Sequence, residues 1–343
     1  MGNCMKKLSL NNTLLIVFVS IFLCAVIALI CCVEFYVPRI SKGIVPTDEQ
    51  VLAIKESGGT YDHVVIFGVD GAGSYFANMN TPGFDKIFYD ELDGSVSYDA
   101  LAQFPTISAQ NWGSMIHGVV CGKHLRSNAN TSFTRYTDKR YPSFFKVYAD
   151  RHPDVSMVSV VDWANINIGI IEDMPQMKKI NITDFIEGGK KAKEEDIDAL
   201  VAEETIKEIK NNNHKIVFTH FDCVDFAGHK YGWGSTEYEE AIAYVDTLID
   251  SIYETCKEVG WKDNTLFICV TDHGHKLTGG HGDNTETERY TTVAVAGGKG
   301  NIIKGTPGYI VNQDVASIVL YALGEKQPAS YDGGVPSHMF LGI

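Results

Sequence analysis

Aspartate and histidine side chains follow three apolar segments of the chain, and both residue types bind divalent metal ions. The set comprises Asp70, Asp225, His229, Asp272, His273 and His281. Carboxylate oxygens and imidazole nitrogens are the ligands that Zn²⁺ accepts where thiolates are absent, and three or four of them per ion make a catalytic site. The sequence therefore predicts a site for two zinc ions per chain.

Each of these residues also has a purely structural interpretation. Asp70 could cap the next helix, and Asp225 with His229, four residues apart, could be a surface pair on a helical turn. His273 could be a buried core histidine, and His281 an exposed loop residue. The metal hypothesis depends on their conjunction, because all of them fall in order at the mouth of one predicted sheet, next to glycines that allow close approach.

A hydroxyl group before a predicted helix offers a nucleophile. The segment FPTISAQNWGSMIHG, residues 104–118, places Thr106 at a turn before a helix. The amides and dipole at the start of such a helix favour a bound phosphoryl group. Thr106 is therefore the predicted nucleophile. In the alternative interpretation, Thr106 is only a helix N-cap and Ser108 is a residue of the helix surface.

Strand-like and helical patterns alternate through the chain. Short apolar runs occupy residues 63–70, 154–163, 214–222 and 265–272, whereas residues 190–212 and 236–260 have apolar positions at helical spacing. Continuous apolar strands are typical of a sheet that is buried on both faces. The pattern predicts a three-layer α/β/α sandwich with a mainly parallel sheet, whose ligands lie beyond the carboxyl ends of the strands.

Five short motifs together resemble the alkaline phosphatase superfamily, most closely its nucleotide pyrophosphatase/phosphodiesterase branch. They are VDG at Asp70, FPT at Thr106, DFAGHKYG at Asp225, TDHGH at Asp272 and GGHG at His281. The resemblance implies one zinc ion on Asp70, Thr106, Asp272 and His273, and a second on Asp225, His229 and His281. It also implies an asparagine that binds a phosphoryl oxygen. Asn128 has a suitable spacing after Thr106, with Asn111 and Asn130 as alternatives.

The resemblance also implies an activity. The expected enzyme is a metal-dependent phosphoester hydrolase, a phosphodiesterase or nucleotide pyrophosphatase that acts on a small phosphorylated substrate through a phosphothreonine intermediate. A phosphomonoesterase, a phosphoethanolamine-type transferase and a non-catalytic, metal-stabilised ectodomain are the alternatives. The sulfatase motif C/S-x-P-x-R is not matched around Cys121, so sulfate ester hydrolysis is not expected.

The first forty residues differ in composition from the rest of the chain. Residues 13–33 are uncharged and apolar, and 21 such residues are enough to cross a bilayer as a helix. We predict a cytoplasmic tail at residues 1–12, a transmembrane signal anchor at 13–33, a linker at 34–61 and an extracytoplasmic catalytic domain at 62–343. The partners expected are a membrane, through the anchor, and a small phosphorylated substrate.

Composition excludes other classes of protein. A formal net charge of −14 argues against binding of a nucleic-acid duplex, because phosphate backbones are bound by clusters of Lys and Arg. The cysteines beyond the predicted anchor have no CxxC spacing, so they predict neither a thiolate zinc site nor a particular disulfide. They are Cys121, Cys223, Cys256 and Cys269.

Overall fold

The computed structural model describes residues 17–24, 40–182 and 193–343. The chain divides into two compact units, Met1–Pro38 and Arg39–Ile343. In the first unit, residues 17–24 form a helix, α1, with exposed apolar side chains. The predicted tail and most of the predicted anchor lie outside the described residues. No helix in the described part of the chain combines the length and hydropathy of a membrane span.

A mixed sheet of seven strands forms the centre of the second unit. The strands are β1 (His63–Val69), β2 (Asp93–Leu101), β3 (Met157–Val161), β4 (Met177–Asn181), β5 (Ile216–Phe221), β6 (Thr265–Thr271) and β7 (Tyr290–Gly297). Their order is β2-β7-β6-β1-β5-β3-β4. The five strands from β6 to β4 are parallel, whereas β7 is antiparallel to both of its neighbours. The predicted mainly parallel sheet is therefore present, with a mixed edge.

Helices cover both faces of the sheet. They are α2 (Asp48–Glu56), α3 (Pro82–Asp85), α4 (Ser108–His117), α5 (Cys121–His124), α6 (Asn128–Thr131), α7 (Phe144–Arg151), α8 (Glu194–Asn211), α9 (Cys223–Tyr231), α10 (Thr236–Glu258), α11 (Glu286–Arg289) and α12 (Asp314–Ala322). Short π-helical turns occur at Lys86–Glu91 and Ile166–Ile170, and 3₁₀ turns at Tyr75–Asn78 and Lys262–Asn264.

Alternate residues of β1 enter two separate cores. Val64 and Ile66 pack in one core with residues of α4, α7 and α12. Val65 and Phe67 pack in the other with residues of α8, α9 and α10. Successive side chains of a strand point to opposite faces, so a strand buried on both faces needs helices above and below it. The predicted three-layer α/β/α arrangement is confirmed.

The segment predicted as a linker, 34–61, is structured over its described part. Thr47 and Gln50 form a capping box at the start of α2, and Ile44 pairs with Val335 through two backbone hydrogen bonds. Ile54 and Tyr61 are buried in the core. The compact unit therefore begins before residue 62, the predicted boundary. The mixed composition of this segment did not reveal the apolar contacts that it makes with the core.

Candidate metal centre

The carboxyl ends of three neighbouring strands bring the predicted ligands together. Asp70 directly follows β1, and Asp272 with His273 directly follows β6. Helix α9 begins after β5 and carries Asp225 and His229. Since β1 lies between β5 and β6 and is parallel to both, the three ends meet at one edge of the sheet. The remaining predicted ligand, His281, lies in the loop between β6 and β7.

Asp70, Asp272 and His273 form the first half of the site. Nε2 of His273 lies 3.2 Å from Oδ2 of Asp272 and 3.6 Å from Oδ1 of Asp70. One ligand atom from each residue falls within 4.8 Å of the other two. All three side chains are buried. This spacing suits a single cation that is shared by two carboxylates and one imidazole.

Asp225, His229 and His281 form the second half. Oδ2 of Asp225 lies 3.4 Å from Nε2 of His229, and the Nε2 atoms of His229 and His281 are 3.1 Å apart. The rings of His281 and His273 stack at 3.8 Å, and Asp225, His273 and His281 also share one cluster of ligand atoms. The two halves therefore adjoin at His273.

The chemistry of the donor set fits a pair of divalent cations. Oδ2 of Asp272 is buried and accepts no hydrogen bond from the described residues. Burial and the charge of Asp70 raise the pKa of Asp272 well above its ordinary value, and the same two causes raise the pKa of Asp225 to about 7. Burial lowers the pKa of His229, which keeps its ring neutral and able to bind a metal. Such a concentration of carboxylates is stabilised by positive charge.

One carboxylate oxygen of Asp70 accepts hydrogen bonds from two ring N–H groups. Its Oδ2 accepts hydrogen bonds from Nε1 of Trp112, at 2.7 Å, and Nε2 of His220, at 3.1 Å. Trp112 reaches it across Gly68, where an added Cβ would lie 2.7 Å from the indole ring. Burial works to raise the pKa of Asp70, but the hydrogen bond from His220, the charges of His273 and His220 and the hydrogen bond from Trp112 together outweigh it and hold the pKa below its usual value. The carboxylate therefore stays ionised, with Oδ1 turned toward His273.

Ser108 brings a hydroxyl group into the first half of the site. It is the first residue of α4, and its Oγ lies 3.1 Å from Nε2 of His273 and 3.5 Å from Oδ1 of Asp70. The first amides and the positive end of the dipole of α4 lie at the same place, where they favour a bound anion. The signal in the sequence for this residue is a serine at the first position of a helix.

The hydroxyl of Thr106 is engaged elsewhere. It donates to the carbonyl of Asp283 at 2.7 Å and accepts from the amide of Gly282 at 3.0 Å. The side chain is fully buried, and the Thr106 carbonyl lies 2.6 Å from Nδ1 of His281. Thr106 thus binds the loop that carries His281, whereas the hydroxyl that lies beside Asp70 and His273 is that of Ser108.

Of the three candidate asparagines, Asn128 is the one whose side chain meets the first residues of α4. Its Oδ1 accepts from the amide of Ala109 at 3.0 Å, and the residue is exposed. Asn111 is fully buried and donates to three carbonyls of the preceding loop. Asn130 belongs to the cap of α6. The predicted phosphoryl-binding residue, Asn128, therefore lies adjacent to Ser108.

Comparison with known proteins places this site in context. The sequence pattern of a family described as type I phosphodiesterase / nucleotide pyrophosphatase matches residues 64–308. The chain is similar to GPI ethanolamine phosphate transferase 1 of Candida glabrata, with 27% identity over 137 residues. The match covers 35% of this chain and 15% of the fungal protein, so the chain spans only a small part of that relative's length.

Solved structures show the same fold at low identity. Murine ectonucleotide pyrophosphatase / phosphodiesterase 5 superposes with a TM-score of 0.58 and 13% identity, covering 78% of this chain and 96% of that one. Phosphonate monoester hydrolase of Agrobacterium radiobacter gives the same TM-score and identity, 0.58 and 13%, with 80% and 76% covered. At these identities the likeness concerns the fold alone.

Proposed function

The chain belongs to the type I phosphodiesterase / nucleotide pyrophosphatase family, within the alkaline phosphatase superfamily, and on this premise we propose that it is a two-zinc phosphodiesterase with Ser108 as its nucleophile. The observation that carries the proposal is the position of the Ser108 hydroxyl, which lies within 3.5 Å of both Asp70 and His273. A nucleophile of this kind has to lie within reach of the groups that activate it.

Two groups of residues would hold the ions. Asp70, Asp272, His273 and the Ser108 hydroxyl form one set, and Asp225, His229 and His281 form the other. Divalent cations bound there would lower the pKa of the Ser108 hydroxyl and neutralise charge on the phosphoryl and leaving oxygens. The ligands are oxygen and nitrogen atoms only, which is the donor chemistry of zinc where thiolates are absent.

In the first step, the Ser108 hydroxyl releases its proton to water and the resulting Oγ alkoxide attacks phosphorus. A bond forms between Oγ and phosphorus while the bond from phosphorus to the leaving oxygen breaks, and the leaving oxygen takes a proton from water. The start of α4 faces the non-bridging oxygens, whose negative charge its amides and dipole stabilise. The amide nitrogen of Asn128, whose Oδ1 is already bound to Ala109, supplies a further donor beside Ser108.

In the second step, an oxygen nucleophile releases the enzyme. Water attacks phosphorus, the bond to Oγ breaks, and Ser108 regains its proton. The side chain of His229 is half exposed at 50%, so the second half of the site is open to solvent and to an incoming hydroxyl group. This openness allows water to act as the acceptor in hydrolysis, and it equally allows an alcohol to act as the acceptor in a transfer.

A second candidate function, phosphoethanolamine-type transfer, rests on the sequence relatives. The chain is similar to proteins named GPI ethanolamine phosphate transferases. In such a reaction, the hydroxyl of an acceptor replaces water in the second step, and the first step is unchanged. Both functions therefore require the same nucleophile and the same ligands, and they differ only in the acceptor.

Two matched variants test the nucleophile. We expect Ser108→Ala to lose cleavage of bis-p-nitrophenyl phosphate by about a thousandfold or more, because loss of a covalent nucleophile removes the main route. Thr106→Val should keep most of the activity and mainly lower stability, since its hydroxyl bonds to the loop of His281 and to Glu288 of α11 and to none of the proposed metal ligands. The measurement is the initial rate with added zinc and with a chelator. An inactive Thr106→Val beside an active Ser108→Ala would restore Thr106 as the nucleophile.

The acceptor is tested by product analysis. Cleavage of a phosphodiester in the presence of an alcohol acceptor should give the free phosphoryl product if the enzyme is a hydrolase. Accumulation of the phosphorylated alcohol instead would show a transferase. A strong preference for p-nitrophenyl phosphate over the diester would contradict both diester proposals and identify a phosphomonoesterase.

A further inference from the structure

His275 lies between the two ligand-bearing segments of the site. Its ring fills the space left by Gly71, which follows Asp70, and by Gly228, which precedes His229. An added Cβ at Gly228 would lie 2.3 Å from Cδ2 of His275, and one at Gly71 would lie 2.6 Å from its Nε2. The imidazole is fully buried. Glycine at both positions is therefore what allows the ring to sit here.

The ring contacts a ligand of the second half directly. Nε2 of His275 lies 2.9 Å from Oδ1 of Asp225, while Oδ2 of Asp225 faces His229 at 3.4 Å. Asp225 is ionised when it binds a metal ion, and an ionised carboxylate only accepts hydrogen bonds, so in that state the proton of this contact belongs to Nε2 of His275. An Nε2 that carries a proton cannot bind a metal ion, which excludes that atom of His275 as a ligand.

Neighbouring groups fix the ring in place. The ring of Tyr238 meets it edge to face at 6.2 Å, and the Tyr238 hydroxyl donates to the carbonyl of Gly71 at 2.7 Å. The hydrogen bond between His275 and Asp225 has a counterpart in the first half of the site. There, Trp112 and His220 donate to one oxygen of Asp70, and the other oxygen faces His273. Each half thus contains an aspartate with one oxygen held by a buried ring N–H group.

We infer that His275 is a positioning residue for the second metal ion, acting through its hydrogen bond to Asp225. By holding Oδ1, it fixes the rotation of the carboxylate and presents Oδ2 toward His229. Groups that orient a metal ligand in this way typically change metal affinity by about 10–100-fold when they are removed. The inference rests on the proposed two-metal function, because it concerns affinity for the second of the two ions.

Two substitutions of similar length separate the hydrogen bond from the bulk of the side chain. His275→Gln keeps an N–H donor near the position of Nε2, whereas His275→Met removes the donor. After removal of bound metal from the full-length protein, Zn²⁺ is titrated in competition with a chelator, giving the number of ions bound and their affinities. We expect His275→Met to bind the first ion normally and the second about 10–100-fold more weakly, and His275→Gln to stay close to the wild type.

A buried histidine far from the site provides the control. His63 lies at the opposite end of β1, stacks on Trp261 at 3.8 Å and bonds to the carbonyl of His214. We expect His63→Met to lower the melting temperature without weakening either zinc ion. If His275→Met bound the second ion with normal affinity, or if His275→Gln weakened that affinity as much as His275→Met does, the inference about His275 would be wrong and the proposed function would stand. A wild-type protein that binds fewer than two zinc ions would overturn the proposed function and this inference with it.

Discussion

At the scale of single residues, the site assembles carboxylates that repel one another. Asp225 and Asp272 are shifted toward protonation by burial and by the charge of Asp70, whereas hydrogen bonds and the charges of His273 and His220 keep Asp70 ionised. Close packing raises the pKa of these carboxyl groups because their negative charges repel one another. A bound divalent cation removes that repulsion, so the same packing favours metal binding. We therefore expect binding of a metal ion at this site to be coupled to proton release.

We expect zinc affinity to fall as the pH decreases below about 7. The pKa of Asp225 is raised to about 7, so below that pH its carboxyl carries a proton that zinc has to displace. Each displaced proton costs about tenfold in affinity per pH unit. Calorimetric titration of the metal-free protein in buffers of different ionisation enthalpy measures the protons released.

The variant Asp225→Asn is the control for this pH dependence. It has no proton to release at this position, so binding of the second ion should be weak and should lose that part of its pH dependence. Zinc affinity of the wild type that is constant between about pH 5.5 and about pH 8 would contradict the prediction.

At the scale of elements, the start of α4 is fixed by a buried asparagine. Asn111 Nδ2 donates to the carbonyls of Gln103, Pro105 and Ile107 at 3.2–3.3 Å. Its Oδ1 accepts from the amide of Gln103 at 2.7 Å and from Nδ2 of Asn312 at 3.0 Å. A single amide side chain thus ties the loop before Ser108 to the body of the protein, and so sets where the helix begins.

We expect Asn111→Ala to lower the free energy of unfolding by about 3 kcal/mol. The substitution leaves buried donors and acceptors without partners, and each costs about 1–3 kcal/mol. Activity should fall as well, because the position of Ser108 depends on this loop. Urea denaturation measures the change.

Asn130→Ala is the matched control, since Asn130 caps the short, partly exposed helix α6. Loss of a cap costs about 1 kcal/mol. If Asn111→Ala destabilised the protein no more than Asn130→Ala does, the loop would not depend on the buried network.

At the scale of the whole molecule, the compact unit from Arg39 to Ile343 has its own two cores. The predicted anchor, residues 13–33, belongs to the other unit. A domain that buries its own apolar surface does not need a second unit in order to fold. We therefore expect the predicted membrane attachment and the proposed catalysis to be separable.

We expect the full chain to remain with membranes after extraction at high salt, because a stretch of 21 uncharged and mainly apolar residues is long enough to cross a bilayer. A chain that lacks residues 1–38 should be released and should still bind zinc. Fractionation followed by metal analysis tests both points. Full-length protein found mainly in the soluble fraction would contradict the anchor prediction.

The sequence by itself determined the order of the candidate ligands and the class of fold. Asp70, Asp225 and Asp272 were identified because each follows a continuous apolar run, and such runs are the strands β1, β5 and β6 buried at the centre of the sheet. Strands β2, β4 and β7 were not predicted. In β2 and β4 the reason is polarity, since their sequences DGSVSYDAL and MKKIN belong to the two edge strands of the sheet, whose side chains are not all buried.

Tertiary structure alone decided which hydroxyl group faces the ligands. Thr106 and Ser108 lie two residues apart and have the same chemistry, so spacing along the chain does not distinguish them. The distinction comes from residues about 175 positions later, because Gly282 and Asp283 bond the Thr106 hydroxyl and leave Ser108 at the start of α4. Tertiary structure also revealed the contacts of His275. Its bond to Asp225 and its place between Gly71 and Gly228 exist only once β1, α9 and the end of β6 have packed together.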